Sequence, residues 1–127
     1  MSLNLDIAAL EAATDKLREL LKDGLLATDI WDRETGLSLA GFNAQPAAVA
    51  LFTQVTNDLA NALQASGFPG LNRYYLLDLD GASTVLIVRH GDDLLQGMLL
   101  NNKKANLGLL IAVALPQMLD VVAKARR

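Results

Sequence analysis

The chain has 127 residues and a mass of 13.6 kDa, the size of one domain, long enough to bury about two thirds of its unfolded surface. Apolar residues make up 52%, charged residues 20%, the formal net charge is −3 and there is no Cys. This excludes disorder, a disulfide frame, a thiolate metal site and a Cys nucleophile, and argues against nucleic acid as a partner.

Leu and Ala (27 and 19 residues) far outnumber Val and Ile (11 together), so helices are expected to carry much of the apolar excess. The first ten residues include Asp6 but no Lys, no Arg and no long apolar run. No secretory signal is expected there, and a cytoplasmic location is. Leu3, Ile7, Leu10, Leu17 and Leu21 follow the spacing of an amphipathic helix, which Gly24 is expected to end. Leu25 to Trp31 and Leu37 to Phe42 then flank the polar run Asp32 to Gly36 and predict a hairpin.

Pro46 suits the first turn of a second helix over Ala47 to Ser66, closed by Gly67, Pro69 and Gly70. Asn72 to Leu79, Thr84 to His90 and Leu94 to Asn101 read as three strands with connections short enough to require an antiparallel meander. Asn106 is placed to cap a third helix from Leu107 to about Ala125, kinked or loosened at Pro116. The apolar stretch from Leu107 stops at Gln117, well short of the roughly 20 residues of a membrane span. No membrane insertion is expected. The order is one α+β layered domain over residues 1–127, with a sheet covered on both faces.

The distribution of charge is uneven. Between Thr35 and Asn72 the one charged residue is Asp58. The side of helix 2 opposite Phe52, Val55, Leu59 and Leu63 is built from Ala47, Ala50, Gln54, Asn57, Asp58, Asn61 and Ala65. It is small, polar and almost neutral, a pattern suited to a surface covered by a second chain, against the plainer alternative of a solvated helix. Arg73, Tyr74, Tyr75 and Leu76 open the third strand, which becomes an apolar sheet edge if the meander joins the hairpin through its last strand. Such an edge invites a strand from another molecule, or a covering loop.

Chemistry is sparse. His90 is the sole histidine, and the carboxylates Asp78, Asp80, Asp92 and Asp93 sit at turn positions with no calcium-loop spacing. Neither a nucleophile elbow nor a phosphate-binding glycine fingerprint is present. No metal, no cofactor and no enzymatic activity are expected. Lys103 and Lys104, just ahead of Asn106, form a candidate anion or partner loop, or simply a solvated one.

The element order, Leu25 to Ala40 with its Asp32 and Gly36 turn, and Asn106-Leu107-Gly108-Leu109 opening the last helix resemble the roadblock/dynein light-chain family over nearly the whole chain. The resemblance implies a profilin-like roadblock fold: a five-stranded antiparallel sheet ordered 2-1-5-4-3, with helix 2 on one face and helices 1 and 3 on the other. It further implies a homodimer through helix 2 and strand 3, acting as a non-enzymatic scaffold and regulator of a small Ras-like GTPase. Apart from the resemblance, helix 3 is apolar almost all round from Leu107 to Leu115, which burial between the sheet and helix 1 would satisfy; the alternative expectation is a further contact surface for higher oligomers. Arg33, Arg73 and Arg89 are the arginines that could reach such a GTPase. The competing expectation is a sensory module holding a small ligand between sheet and helix; an enzyme using Asp78, Asp80 or His90 ranks third.

Overall fold

The computed structural model describes residues 4–127, so Leu3 lies outside the described residues. Helix α1 (Ile7–Leu21) starts where the Asp6 carboxylate accepts the Ala9 N–H at 3.2 Å, which satisfies one of the donors a helix start leaves open. Its Leu10, Ala13, Leu17 and Leu21 are buried, the stripe expected from their spacing. The stop is different from expectation. The chain leaves the helix at Lys22, with φ at 51°, and passes through a 3₁₀ turn, Lys22–Gly24. Gly24 is needed for space: a Cβ there would lie 2.6 Å from the Cα of Ala105.

Strands β1 (Leu25–Asp32), β2 (Ser38–Phe42), β3 (Tyr74–Leu79), β4 (Ser83–His90) and β5 (Leu94–Asn101) form one sheet in the order β2-β1-β5-β4-β3, antiparallel throughout, as the resemblance implied. In the first hairpin the Asp32 carboxylate accepts from both the Thr35 N–H (2.8 Å) and the Thr35 hydroxyl (2.6 Å). Gly36 takes the positive φ of 75° that returns the chain.

The two faces of the sheet are unequally covered. On one, Ile30, Leu86, Val88, Leu94, Met98 and Leu100 pack with the buried stripes of α1 and of the C-terminal helical run into the main core. On the other lies α2 (Pro46–Ala65), of which only Val49 and Thr56 are buried. A small second cluster of Trp31, Val49 and Leu95 with Phe52 holds it down, helped by the Trp31 indole N–H donating to the Thr53 hydroxyl at 2.9 Å.

The third predicted helix is three pieces in one run. A short α3 (Leu107–Leu109) is capped by Asn106, whose side-chain oxygen accepts the Leu109 N–H at 3.0 Å. A π turn (Leu110–Ala114) follows, in which the Leu115 N–H reaches back to the Leu110 carbonyl, and α4 (Leu115–Ala125) completes it. Pro116 has no N–H and its ring crowds the carbonyl four residues back, so the turn before it widens. The sequence expectation that the apolar stretch ends near Gln117 is too short. The run to Ala125 is 19 residues with a mean hydropathy of 1.7, long and apolar enough to cross a membrane by length and composition alone. Its Leu110, Ala114, Leu115, Met118, Val122 and Ala125 are buried in the main core, the situation of a cover helix in a layered fold.

The two ends of the described chain are stitched together. Leu5 and Arg126 form an isolated antiparallel bridge, and the Arg126 guanidinium donates to the Asp93 carboxylate at 2.7 and 3.0 Å and to the His90 carbonyl at 2.6 Å.

Candidate functional site

Pro46 presets the first turn of α2, and the run of Ala and Leu that follows continues the helix across the thinly covered face. One helical stripe points away from the sheet: Ala47, Leu51, Gln54, Asp58, Asn61 and Ala65 are all exposed, Leu51 by 54%. Leu51 sits in the N-terminal half of the stripe, one turn after Ala47, and escaped the sequence reading. Counting every third and fourth position from Ala47 would have found it. Ala50 is exposed beside it. Asn57 departs from expectation: it turns toward the sheet, where its side-chain oxygen accepts from the Arg33 guanidinium, with Nε at 3.1 Å.

Strand β3 is the sheet edge, and alternation splits its residues between the faces. Tyr75 goes to the α2 side, its hydroxyl 2.7 Å from that of Thr56. Tyr74 and Leu76, 38% and 39% exposed, point to the opposite side, where Arg73 and Tyr74 border a shallow hollow with Ile111, Pro116 and Leu119. The structure therefore brings Tyr75 together with the residues of α2, while Tyr74 and Leu76 join that surface only through the backbone of the edge.

The three arginines are not equivalent. Arg33 is held by Asn57. Arg89 donates to the carbonyls of Leu71 and Asn72, which ties the loop before β3 to β4. Among the described residues, Arg73 alone of the three has an exposed side chain without a hydrogen-bond or ion-pair partner.

His90 is buried, its Nε2 2.9 Å from the Gln96 side-chain oxygen. Gln96 donates in turn to the Thr28 hydroxyl at 3.3 Å, and Thr28 to the Gly97 carbonyl at 2.8 Å. Burial pushes the imidazole below its ordinary value, against a smaller opposing effect of the Gln96 bond. This is a satisfied chain of core hydrogen bonds tying three strands. Hydrogen bonding to Arg126 holds the Asp93 carboxyl below the usual carboxylate range. Among the described residues no cluster of three His, Asp or Glu is arranged to hold a metal.

Around Lys103 and Lys104 the local donors are largely engaged. The Lys103 N–H goes to the Asn101 side chain, the N–H groups of Lys104 and Ala105 to the Asn101 carbonyl, and Asn106 caps the helix itself. Both lysines are exposed, and Lys104 borders a hollow shared with Asp15, Glu19 and Asp23.

The competing expectation of a ligand held between sheet and helix named no residues, and the structure has a space in that position. Beneath the first turns of α2 lies a cavity of about 90 Å³. Its floor includes Asp29, 6% exposed, which accepts the Ser38 hydroxyl at 2.5 Å. Burial pushes this carboxyl above its ordinary value, against smaller effects of the Ser38 and Ile30 hydrogen bonds. Gly41 and Gly97 in otherwise apolar strands were the signal for a locally open sheet.

No protein-family model matches the chain, and no curated protein matches it. Solved structures do. Myxococcus xanthus MglB is similar with a TM-score of 0.76 at 11% identity, over 96% of this chain and 93% of that one. A Roadblock/LC7 domain from Streptomyces avermitilis gives 0.62 at 13% identity, over 90% and 92%. Acanthamoeba castellanii profilin IB gives 0.59 at 18%, over 90% and 97%. Proteins with such different names share this architecture, so the likeness carries fold and not activity. The chain has the roadblock fold, in its profilin-like α+β class.

Proposed function

We propose that the protein is a non-enzymatic homodimeric scaffold that regulates a small Ras-like GTPase, with α2 and the β3 edge as its self-association surface. The observation that carries the dimer is the outer stripe of α2: made of small and polar residues, with Asp58 its one charge and Leu51 exposed by 54% in its N-terminal half. A two-fold axis would set the stripe against its own copy, covering a helix that its own sheet covers only in part. Depletion of charge at the centre of a surface is the compositional mark of an interface. The β3 edge would add main-chain hydrogen bonds to the same contact. Ala47, Ala50, Leu51, Gln54, Asp58 and Asn61 of α2 and Arg73, Tyr74, Tyr75 and Leu76 of the edge are the proposed interface, while Asn57, engaged by Arg33, drops out of it.

The GTPase is the partner implied by the resemblance to the roadblock family. Arg73, exposed at the start of the β3 edge and without a side-chain partner among the described residues, would reach it from the rim of the self-association surface, and Lys103 and Lys104 would supply a cationic rim for an acidic partner loop. The outer side of the C-terminal helical run, where Leu107 of α3 and Val113 of the π turn are exposed, would extend dimers into larger assemblies. Sedimentation at micromolar concentration is expected to give twice the 13.6 kDa chain mass, with Leu51→Lys returning it to that of one chain. Gel filtration with Ras-like GTPases of the source organism, loaded with GDP or a GTP analogue, is expected to give a complex or a changed hydrolysis rate. A monomer in the first experiment removes the dimer, and neither effect for any GTPase in the second removes the partner.

A further inference from the structure

We propose that the cavity beneath the start of α2 is a binding site for a short alkylammonium group, with the Asp29 carboxylate as its counter-charge. This inference does not rest on the dimer, because every wall of the site comes from one chain.

The site begins with the sheet. Asp29 on β1 lies directly opposite Gly41 on β2 and Gly97 on β5, so on the face under α2 the carboxylate has no side chain on either neighbouring strand. Gly41 is required for this. A Cβ there would stand 2.9 Å from the Thr28 carbonyl oxygen and 3.0 Å from Asp29 Oδ1. Trp31 leans over the position of Gly97, and Ala48 and Phe52 of α2 roof the space. The exposed loop residues Asn43, Ala44 and Gln45 edge its mouth.

The walls are mainly apolar, and the buried charge is anionic. Asp29 forms no ion pair among the described residues. Its one side-chain partner is a neutral hydroxyl. A buried carboxylate without a cation is costly to keep charged, and an ammonium group entering from the mouth would compensate it, while the alkyl portion would lie against Trp31 and Phe52. Size limits the ligand. An apolar cavity of roughly 150 Å³ takes a benzene, so 90 Å³ suits about four heavy atoms. This matches a propylammonium ion, or the outer four heavy atoms of a butylammonium ion or a lysine side chain, with the remaining carbon at the mouth. It is far below the ~300 Å³ at which pockets for cofactors and drug-sized ligands begin.

Trp31 is the sole tryptophan and lines the cavity, so its fluorescence reports occupancy. Titration with n-butylammonium chloride is expected to give a saturable change. 1-Butanol, which keeps the shape and lacks the charge, is expected to bind at least about tenfold more weakly. Asp29→Asn, which retains an acceptor for Ser38, is expected to weaken butylammonium by about tenfold to a hundredfold. Ala48→Leu, which fills the cavity and leaves Asp29 in place, is expected to abolish the response. Amide shifts confined to Asp29, Gly41, Gly97 and the first turn of α2 would place the ligand. Titration with N-acetyl-lysine amide separates the sources: binding there identifies a peptide lysine as an admissible ligand, and binding of butylammonium alone restricts the site to free amines. Absence of any saturable change, an equal response to 1-butanol, an unchanged affinity in Asp29→Asn, or binding that survives Ala48→Leu would each overturn the proposal.

Discussion

Gly24 and Gly36 both sit where a sequence reading expects a turn, yet they serve different needs. Gly36 supplies a positive φ; Gly24 makes room for the backbone of Ala105. Gly24→Ala should therefore destabilise the protein by about 1–3 kcal/mol through overpacking, measured as a lower urea midpoint with an unchanged slope. Asp32 presents a second local test. Its Oδ2 accepts two bonds from Thr35, while Oδ1 is buried without a partner. Asp32→Asn keeps one side-chain oxygen to accept from Thr35, so it should cost less than Asp32→Ala, for which about 1–3 kcal/mol is expected. His90 is the only imidazole, packed against Gln96 with Arg126 and Asp93 nearby. Its folded value lies below the ordinary one, so the unfolded chain binds the proton more readily. Stability is then fully present above about pH 6.5 and is lost as pH falls from there through the lower folded value. The urea midpoint should drop between about pH 7.5 and about pH 5.5 in the native protein and drop less in His90→Gln.

At the scale of elements, the contrast is between α2 and the C-terminal run of α3 and α4. The C-terminal run buries a full stripe in the main core and is pinned at its end by Arg126, whereas α2 has two buried residues and a small cluster around Trp31. Amide exchange in α2 should accordingly be faster than in α4 at low protein concentration. If the proposed dimer forms, raising the concentration should slow exchange in α2 and leave α4 nearly unchanged. Trp31→Ala should cost about 3–5 kcal/mol, since it removes the centre of the small cluster together with the bond to Thr53. That loss should fall most heavily on the protection of α2.

The molecule as a whole is a sheet with one face closed by two helical elements and the other left partly open. Each partly open feature is separate in position. The outer stripe of α2 and the β3 edge lie at the surface, whereas Asp29 and its cavity lie beneath the start of α2. The proposed self-association and the proposed occupation of the cavity are therefore separable by experiment. Leu51→Lys should reduce the sedimenting mass while leaving the Trp31 response to butylammonium in place, and Asp29→Asn should do the reverse.

Much of this architecture is legible without coordinates. Apolar spacing and turn residues determine where the helices and strands run, because periodicity and local backbone preference act over a few residues. Absence of charge between Thr35 and Asn72, apart from Asp58, already singles out α2. Tertiary structure alone decides which of those residues act together. Register sets Asp29 between Gly41 and Gly97, and the crossing of α2 turns Asn57 to Arg33 and Thr56 to Tyr75. Strand pleat also parts Tyr74 and Leu76 from Tyr75. These relations join residues distant along the chain, and they depend on how whole elements are stacked, which no local pattern encodes.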